Sequence, residues 1–265
     1  MFFTLNSWQL ALLLAGILFG STIVGLAAGR ALRGHSETLR EPFGVVQGAL
    51  LTLVGLILAF GLAMAVARYE SRRAAVVDDA NAIGTAYLRA QTLSEPVRSL
   101  SLPLYERYTD ASLRLSRFIP GSGAARSAIA SESLLQRRLW RLAGQALDMQ
   151  STQSAPRLYV ESLNDMIDMQ TTRVSALNNR VPSAIILIQV IGAAVALFLL
   201  ALYLALMSRG LATVLLAAGL LTLLLFVTFD LDRPSRGFIR VPNTALVQLR
   251  ASMELPPAAG APHPR

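Results

Sequence analysis

Val181 to Phe229 reads VPSAIILIQVIGAAVALFLLALYLALMSRGLATVLLAAGLLTLLLFVTF, and Arg209 is its only charged residue. A helix crossing a hydrocarbon layer about 30 Å thick needs about 20 predominantly apolar residues, because it rises 1.5 Å per residue. The 28 residues from Val181 to Ser208 and the 20 from Gly210 to Phe229 each reach that length. Only Arg209 separates them, with Ser208 and Gly210 beside it, so they predict a tight hairpin of two antiparallel spans. Two further windows without a charge lie upstream, Met1 to Gly29 and Pro42 to Ala67. Buried helices of soluble proteins seldom run so far without a charge, whereas charged residues are costly to insert at the centre of a membrane helix.

The rest of the composition agrees. Of 265 residues, 54% are hydrophobic and 15% charged, against roughly 25% charged in an ordinary soluble domain. All 24 basic residues are arginines; with 16 acids the net charge is +8 and the sequence pI near 10.9. A chain this basic could bind nucleic acid, but a mean hydropathy of +0.51 points to lipid. The absence of cysteine excludes disulfides, thiolate metal sites and a cysteine nucleophile. His35 and His263 are the only histidines, which removes most histidine-based catalysis and metal chemistry. The first window lacks the basic start of a secretory signal, and its apolar stretch from Trp8 to Ala28 is too long for one, so it reads as a retained anchor.

Four spans place both termini and the segment between the second and third spans on one side. Near span ends that side carries Arg68, Arg72, Arg73, Arg173, Arg180, Arg233, Arg236 and Arg240, against Arg30, Arg33, Arg40 and Arg209 on the other. The bias puts the termini and the central segment in the cytoplasm. Of the 24 arginines, 15 lie in residues 68–182 and five after the fourth span. The expected fold is an all-α integral membrane protein of four transmembrane helices, with a helical cytoplasmic domain inserted between the second and third. The expected divisions are 1–67 (first two spans), 68–182 (helical domain), 183–229 (closing hairpin) and 230–265, disordered after about 254 where prolines accumulate. In the helical domain apolar residues recur at three- and four-residue steps, as in Leu100, Leu104, Tyr108, Ala111 and Leu115. Breaks fall at Pro96, at Pro120 to Gly123 and at Pro156. No stop signal lies between Ala67 and Thr92, which predicts one rod continuing from the second span, and Pro182 predicts a kink before the third.

Candidate sites are few. Glu161, Asp165 and Asp168 share a helix face and could hold a divalent cation, but a solvated face paired with arginines is the simpler reading. Asp78 and Asp79 read as paired charge, and Gly121-Ser122-Gly123 has no strand before it to make a phosphate loop. The arginines of the helical domain alternate with apolar positions and suit lipid headgroups better than nucleic acid. No metal, cofactor or catalytic residue is assigned. No span contains Asp, Glu, Lys, Arg or His, which argues against a proton-coupled transporter or pump and leaves a passive channel or a scaffold. In the second span Gly44, Gly48, Thr52, Gly55, Ala59 and Ala63 form a stripe of small residues. Such stripes usually pack helices. The functional alternative is a pore wall at Thr52, with Leu56, Phe60 and Met64 as a hydrophobic constriction and Arg68 and Arg72 at the cytoplasmic mouth.

Ala67-Arg68-Tyr69-Glu70-Ser71-Arg72-Arg73, followed by Asp78-Asp79-Ala80-Asn81-Ala82-Ile83-Gly84-Thr85-Ala86-Tyr87-Leu88-Arg89, resembles the bacterial bestrophin-like domain family, a domain of unknown function. Asp230-Leu231-Asp232-Arg233-Pro234, then Gly237, Ile239 and Val241, matches the family's pattern after the fourth span. Asp79 stands where the pattern has glutamate. The resemblance implies remote kinship with bestrophins, which are pentameric chloride-permeable channels lined by their second helix. It therefore implies a homo-oligomer, a pentamer by resemblance only, in the bacterial inner membrane, with lipids and inorganic ions as the other partners. Asn81 and Thr85 are expected to hydrogen-bond across to a neighbouring helix that Gly84 admits. The alternative function is a non-conducting scaffold or sensor whose cytoplasmic helices bind a partner.

Overall fold

The computed structural model describes residues 6–32, 36–150, 152–207 and 210–258, with side chains in the second helix described from Gly44 onward. The described residues form eight helices and no strand. They are α1 (Ser7–Ala31), α2 (Ser36–Ala90), α3 (Val97–Arg117), α4 (Gly123–Met149), α5 (Ser154–Asn178), α6 (Ser183–Leu206), α7 (Leu211–Leu231) and α8 (Thr244–Ser252). Four candidate spans are long and apolar enough to cross a membrane, within Ser7–Ala31, Gly44–Ala90, Ser154–Leu206 and Leu211–Leu231. The protein is an all-helical membrane protein.

Local signals explain the breaks. No proline lies between Ala67 and Ala90, and α2 is continuous there. Ser122 caps α4, its Oγ accepting the Ala125 N–H at 3.1 Å. Pro182 does more than bend a continuous helix. Residues 179–182 are non-helical, and α6 starts anew at Ser183, because proline suits the start of a helix and disfavours helical backbone before it. Gly210 opens α7 at φ +90°, a left-handed conformation that favours glycine. Residues 259–265, part of the tail expected to be disordered, and Arg33, His35, Arg209 and His263 lie outside the described residues.

The chain divides into two compact units, with α2 contributing to both. The first comprises Met1–Tyr69 and Arg180–Arg240. Within it α1 packs on α6 and α7, and α6 on α7. The α1–α6 approach is very close. A Cβ added at Gly25 would lie 2.4 Å from the Phe198 carbonyl oxygen, and one at Gly29 2.5 Å from that of Leu202. Glycines four residues apart thus let backbones meet where a side chain would hold them apart. Ser21 lies on the same seam and donates to the Ala194 carbonyl at 2.6 Å. On α6, Gln189 is buried and donates to the Ile57 carbonyl of α2 at 3.2 Å, in space that a Cβ on Gly61 would fill.

The second unit comprises Glu70–Asn179 and Val241–Arg265. Its core collects Ile83 and Tyr87 from α2, Tyr105 and Tyr108 from α3, Leu139 from α4, Leu163 and Met166 from α5, and Leu246 from α8. Helix α8, absent from the sequence expectation, is anchored by Arg250, whose Nε donates to Asp110 Oδ1 at 3.0 Å.

Candidate functional site: the open face of the second helix

Helix α2 shows one well-packed side and one bare side. In the first unit Val54, Leu58 and Ala65 are buried in the core. Thr52, Gly55, Leu56, Ala59, Phe60 and Ala63 are exposed. These fall three and four residues apart, so they share a face. Leu56 is 53% and Phe60 64% exposed, while Met64 is half-buried against the core. Beyond the helix's own backbone, no heavy atom of the described residues stands within 4 Å of a Cβ built at Gly48 or Gly55. The Thr52 hydroxyl donates to the Gly48 carbonyl at 3.0 Å. That satisfies the hydroxyl proton within the helix and leaves oxygen lone pairs facing outward. The structure therefore brings Gly48, Thr52, Gly55, Leu56 and Phe60 onto one open surface.

The two arginines diverge. Arg68 is half-buried in the first unit. Arg72 is 1% exposed, which corrects its reading as a mouth residue. Its Nη2 donates to the Asn179 carbonyl at 2.7 Å and its Nε to the Ala176 carbonyl at 3.3 Å. Carbonyls at a helix C-terminus lack intrahelical partners and carry partial negative charge, so a guanidinium is well placed there.

The two stretches that carry the family resemblance also separate. Gly84 admits α8, since a Cβ there would stand 3.2 Å from Leu249 Cδ1. Asn81 and Thr85 are exposed, and among the described residues no helix receives the hydrogen bonds expected of them. After α7 the motif is a clasp within the first unit. Asp230 Oδ2 accepts the Ile239 N–H at 2.9 Å, and its Oδ1 accepts the Ser7 hydroxyl at 3.3 Å. Asp232 Oδ2 accepts the Val181 N–H at 3.1 Å. Gly237 is required because a Cβ there would lie 2.7 Å from the Asp230 carbonyl oxygen. Arg233 and Pro234 are buried in this turn. The two carboxylates thus anchor the start of α1, the entry to α6 and the loop after α7. No group of three or more His, Cys, Asp or Glu able to hold a metal ion occurs among the described residues. Glu161, Asp165 and Asp168 are exposed, with Glu161 3.7 Å from Arg89.

A buried polar cluster in the second unit pairs Asp79 as the sequence leads one to expect, and adds Glu132, which the sequence expectation did not single out. Asp79 Oδ2 accepts Arg173 Nη1 at 2.7 Å and the Ser112 hydroxyl at 3.1 Å, and Arg173 Nη2 donates to Ser116 Oγ at 2.7 Å. Glu132 is fully buried and accepts Gln170 Nε2 at 2.9 Å. Burial pushes its carboxyl up to about 7 against the pull of Gln170 and Arg173, with Asp79 pushing the same way as burial. The detectable signal was register: Glu132 and Gln136 fall in the same stripe as Ala125, Ala128, Leu139 and Ala143, all on the buried face of α4.

The sequence matches the Bestrophin-like domain over residues 13–246. No curated protein matches it. The fold is similar to a crystal structure of a bacterial bestrophin homolog from Klebsiella pneumoniae carrying a tyrosine-to-alanine mutation, at a TM-score of 0.63 and 12% identity, covering 89% of this chain and 97% of that one. The chain belongs to the Bestrophin-like domain family.

Proposed function

We propose that the protein is an oligomeric passive ion channel of the bacterial inner membrane, permeable to anions, whose pore is lined by the open face of α2. One observation carries this reading: that face is bare and carries a run of small residues, beside the exposed Val45, Leu53 and Val66 of the same helix. Helix α7 exposes Leu211, Leu216, Leu220 and Leu223, and α6 exposes Leu187, Ile188 and Ile191. These bulky aliphatic surfaces suit acyl chains. The α2 face instead offers Gly48, Thr52, Gly55, Ala59 and Ala63 around Leu56 and Phe60. Small residues let copies of α2 approach one another, and a ring of Leu56 and Phe60 would gate by dewetting. Five copies follow from the resemblance to bestrophins.

The arginine bias near span ends supports a cytoplasmic location for both termini and the second unit. Arg68, permanently charged, stands at the cytoplasmic mouth and raises the local anion concentration. Channel membership of the family supports this function over enzymatic chemistry. Purified protein in planar bilayers under a chloride gradient tests it. The expected result is a conductance whose reversal potential tracks chloride and whose open probability rises on Phe60→Ala. Absence of conductance at every gradient overturns the channel, and a reversal potential that tracks the cation overturns the anion preference.

A further inference from the structure

Helices α3 and α4 of the second unit border a shallow groove, open to solvent, with a volume of about 310 Å³, within the lower range of small-molecule sites. Arg107, Asp110 and Arg114 line it from α3, and Leu134, Leu135 and Arg138 from α4. Its one carboxylate is already committed, because Asp110 Oδ1 accepts Arg250 Nε at 3.0 Å. Arg250 also lies 3.7 Å from Glu106 and 3.4 Å from Glu254, so α8 brings a cation of its own to this acidic corner. Arg107 and Arg138, on opposite walls, have no hydrogen bond or ion pair among the described residues. The Ser131 hydroxyl at the rim donates to the Ser127 carbonyl at 2.9 Å, which leaves the guanidiniums as the free donors.

Cations on two facing helices would ordinarily find carboxylates or repel one another. Here they converge on a cavity that also presents an apolar wall, Leu134 being 61% exposed. A guanidinium fork matches the oxygens of a phosphate two at a time and keeps its charge at any working pH. We propose that this groove binds the phosphate of an organic phosphate, held between Arg107 and Arg138 with Arg114 behind, while the attached apolar body covers Leu134 and Leu135. The phosphate can belong to a free metabolite or to a lipid headgroup.

Calorimetric titration of the full-length protein in neutral detergent tests this, independently of whether the protein conducts. The probes are hexyl phosphate as a soluble monoester, dihexanoyl phosphatidic acid as a headgroup, and hexanol as a phosphate-free control. We expect one or both phosphates to bind and hexanol not to. Arg107→Gln and Arg138→Gln should each weaken binding about tenfold, as expected for loss of a charged hydrogen bond, without changing the melting temperature. Arg141→Gln, an exposed arginine of α4 outside the cavity, removes the same charge and should leave binding unchanged. The relative affinity of the two phosphates says which source the groove prefers. Failure of both phosphates to bind, equal binding of hexanol, or equal weakening by Arg141→Gln overturns the proposal.

Discussion

Helices α1 and α2 both carry glycines and other small residues through an uncharged apolar window, yet the chain uses them in opposite ways. Gly25 and Gly29 of α1 are covered, the carbonyl oxygens of Phe198 and Leu202 standing where a side chain would begin. A Cβ at Gly48 or Gly55 of α2 would meet no other helix among the described residues within 4 Å. The first seam holds one subunit together. The second faces outward from the chain, and residue type alone does not distinguish the two.

The largest effect expected from this contrast is on α1. Gly29→Val forces a Cβ to within 2.6 Å of Ala205 Cβ and 2.5 Å of a backbone oxygen. A backbone cannot yield as a flexible side chain does, so the loss should reach about 3 kcal/mol or more, read as a sharply lower melting temperature or loss of folded protein. A Gly29→Val protein as stable as the parent would show that the seam is not a tight contact.

The second unit offers the same contrast between occupied and open polar groups, with a pH signature. Glu132 is buried with a carboxyl near 7, whereas Glu161, Asp165 and Asp168 on α5 are exposed. In the unfolded chain Glu132 ionises near pH 4.5, so between about 4.5 and 7 the folded state holds a proton that the unfolded state has released. Its contribution to stability is full below that window, declines as pH rises through it, and is lost above about 7. The total change is at most about 3 kcal/mol, at 1.36 kcal/mol per pH unit. Glu132→Gln, which keeps the neutral form at every pH, should remove this decline, so that parent and variant melting temperatures converge at acid pH and separate above neutrality. Parallel curves from pH 4.5 to 8 would contradict the burial of an acid at this position.

The smallest effect on stability belongs to α2. Gly55→Val should leave the stability of the fold within about 0.5 kcal/mol of the parent, as for surface changes, while altering assembly or conductance. A collapse of the fold on this substitution would erase the contrast with α1.

Much of the architecture is legible without coordinates because it rests on local rules. Gaps in charge mark the spans, prolines and the Gly121-Ser122-Gly123 turn mark the helix breaks, and the lack of a stop after Ala67 makes α2 long. What stays hidden depends on which neighbour arrives. Arg68 and Arg72 are one turn apart and chemically identical, but α5 ends beside Arg72 and takes its guanidinium for carbonyls Ala176 and Asn179. Two small-residue stripes look alike until α6 fills one of them. Asp230 and Asp232 belong to a recognisable motif, while their work as acceptors for Ile239, Ser7 and Val181 joins residues far apart in sequence. Glu132 was within reach, since a charge in register with Ala128, Leu139 and Ala143 has to be buried. Helix α8, nine residues long, is too short for periodicity to reveal.

The chain contains no cysteine, so a single engineered thiol reports on one position. Bilayer conductance of the Phe60→Cys protein, measured before and after a charged methanethiosulfonate reagent, addresses the pore claim most directly. Only a thiolate in contact with water reacts. A large, lasting change in current is expected at position 60 and none in a Leu216→Cys protein, whose site is 75% exposed on α7 among the bulky aliphatic residues assigned to lipid. No modification at position 60, or an equal effect at 216, would contradict the assignment of the α2 face to an ion path.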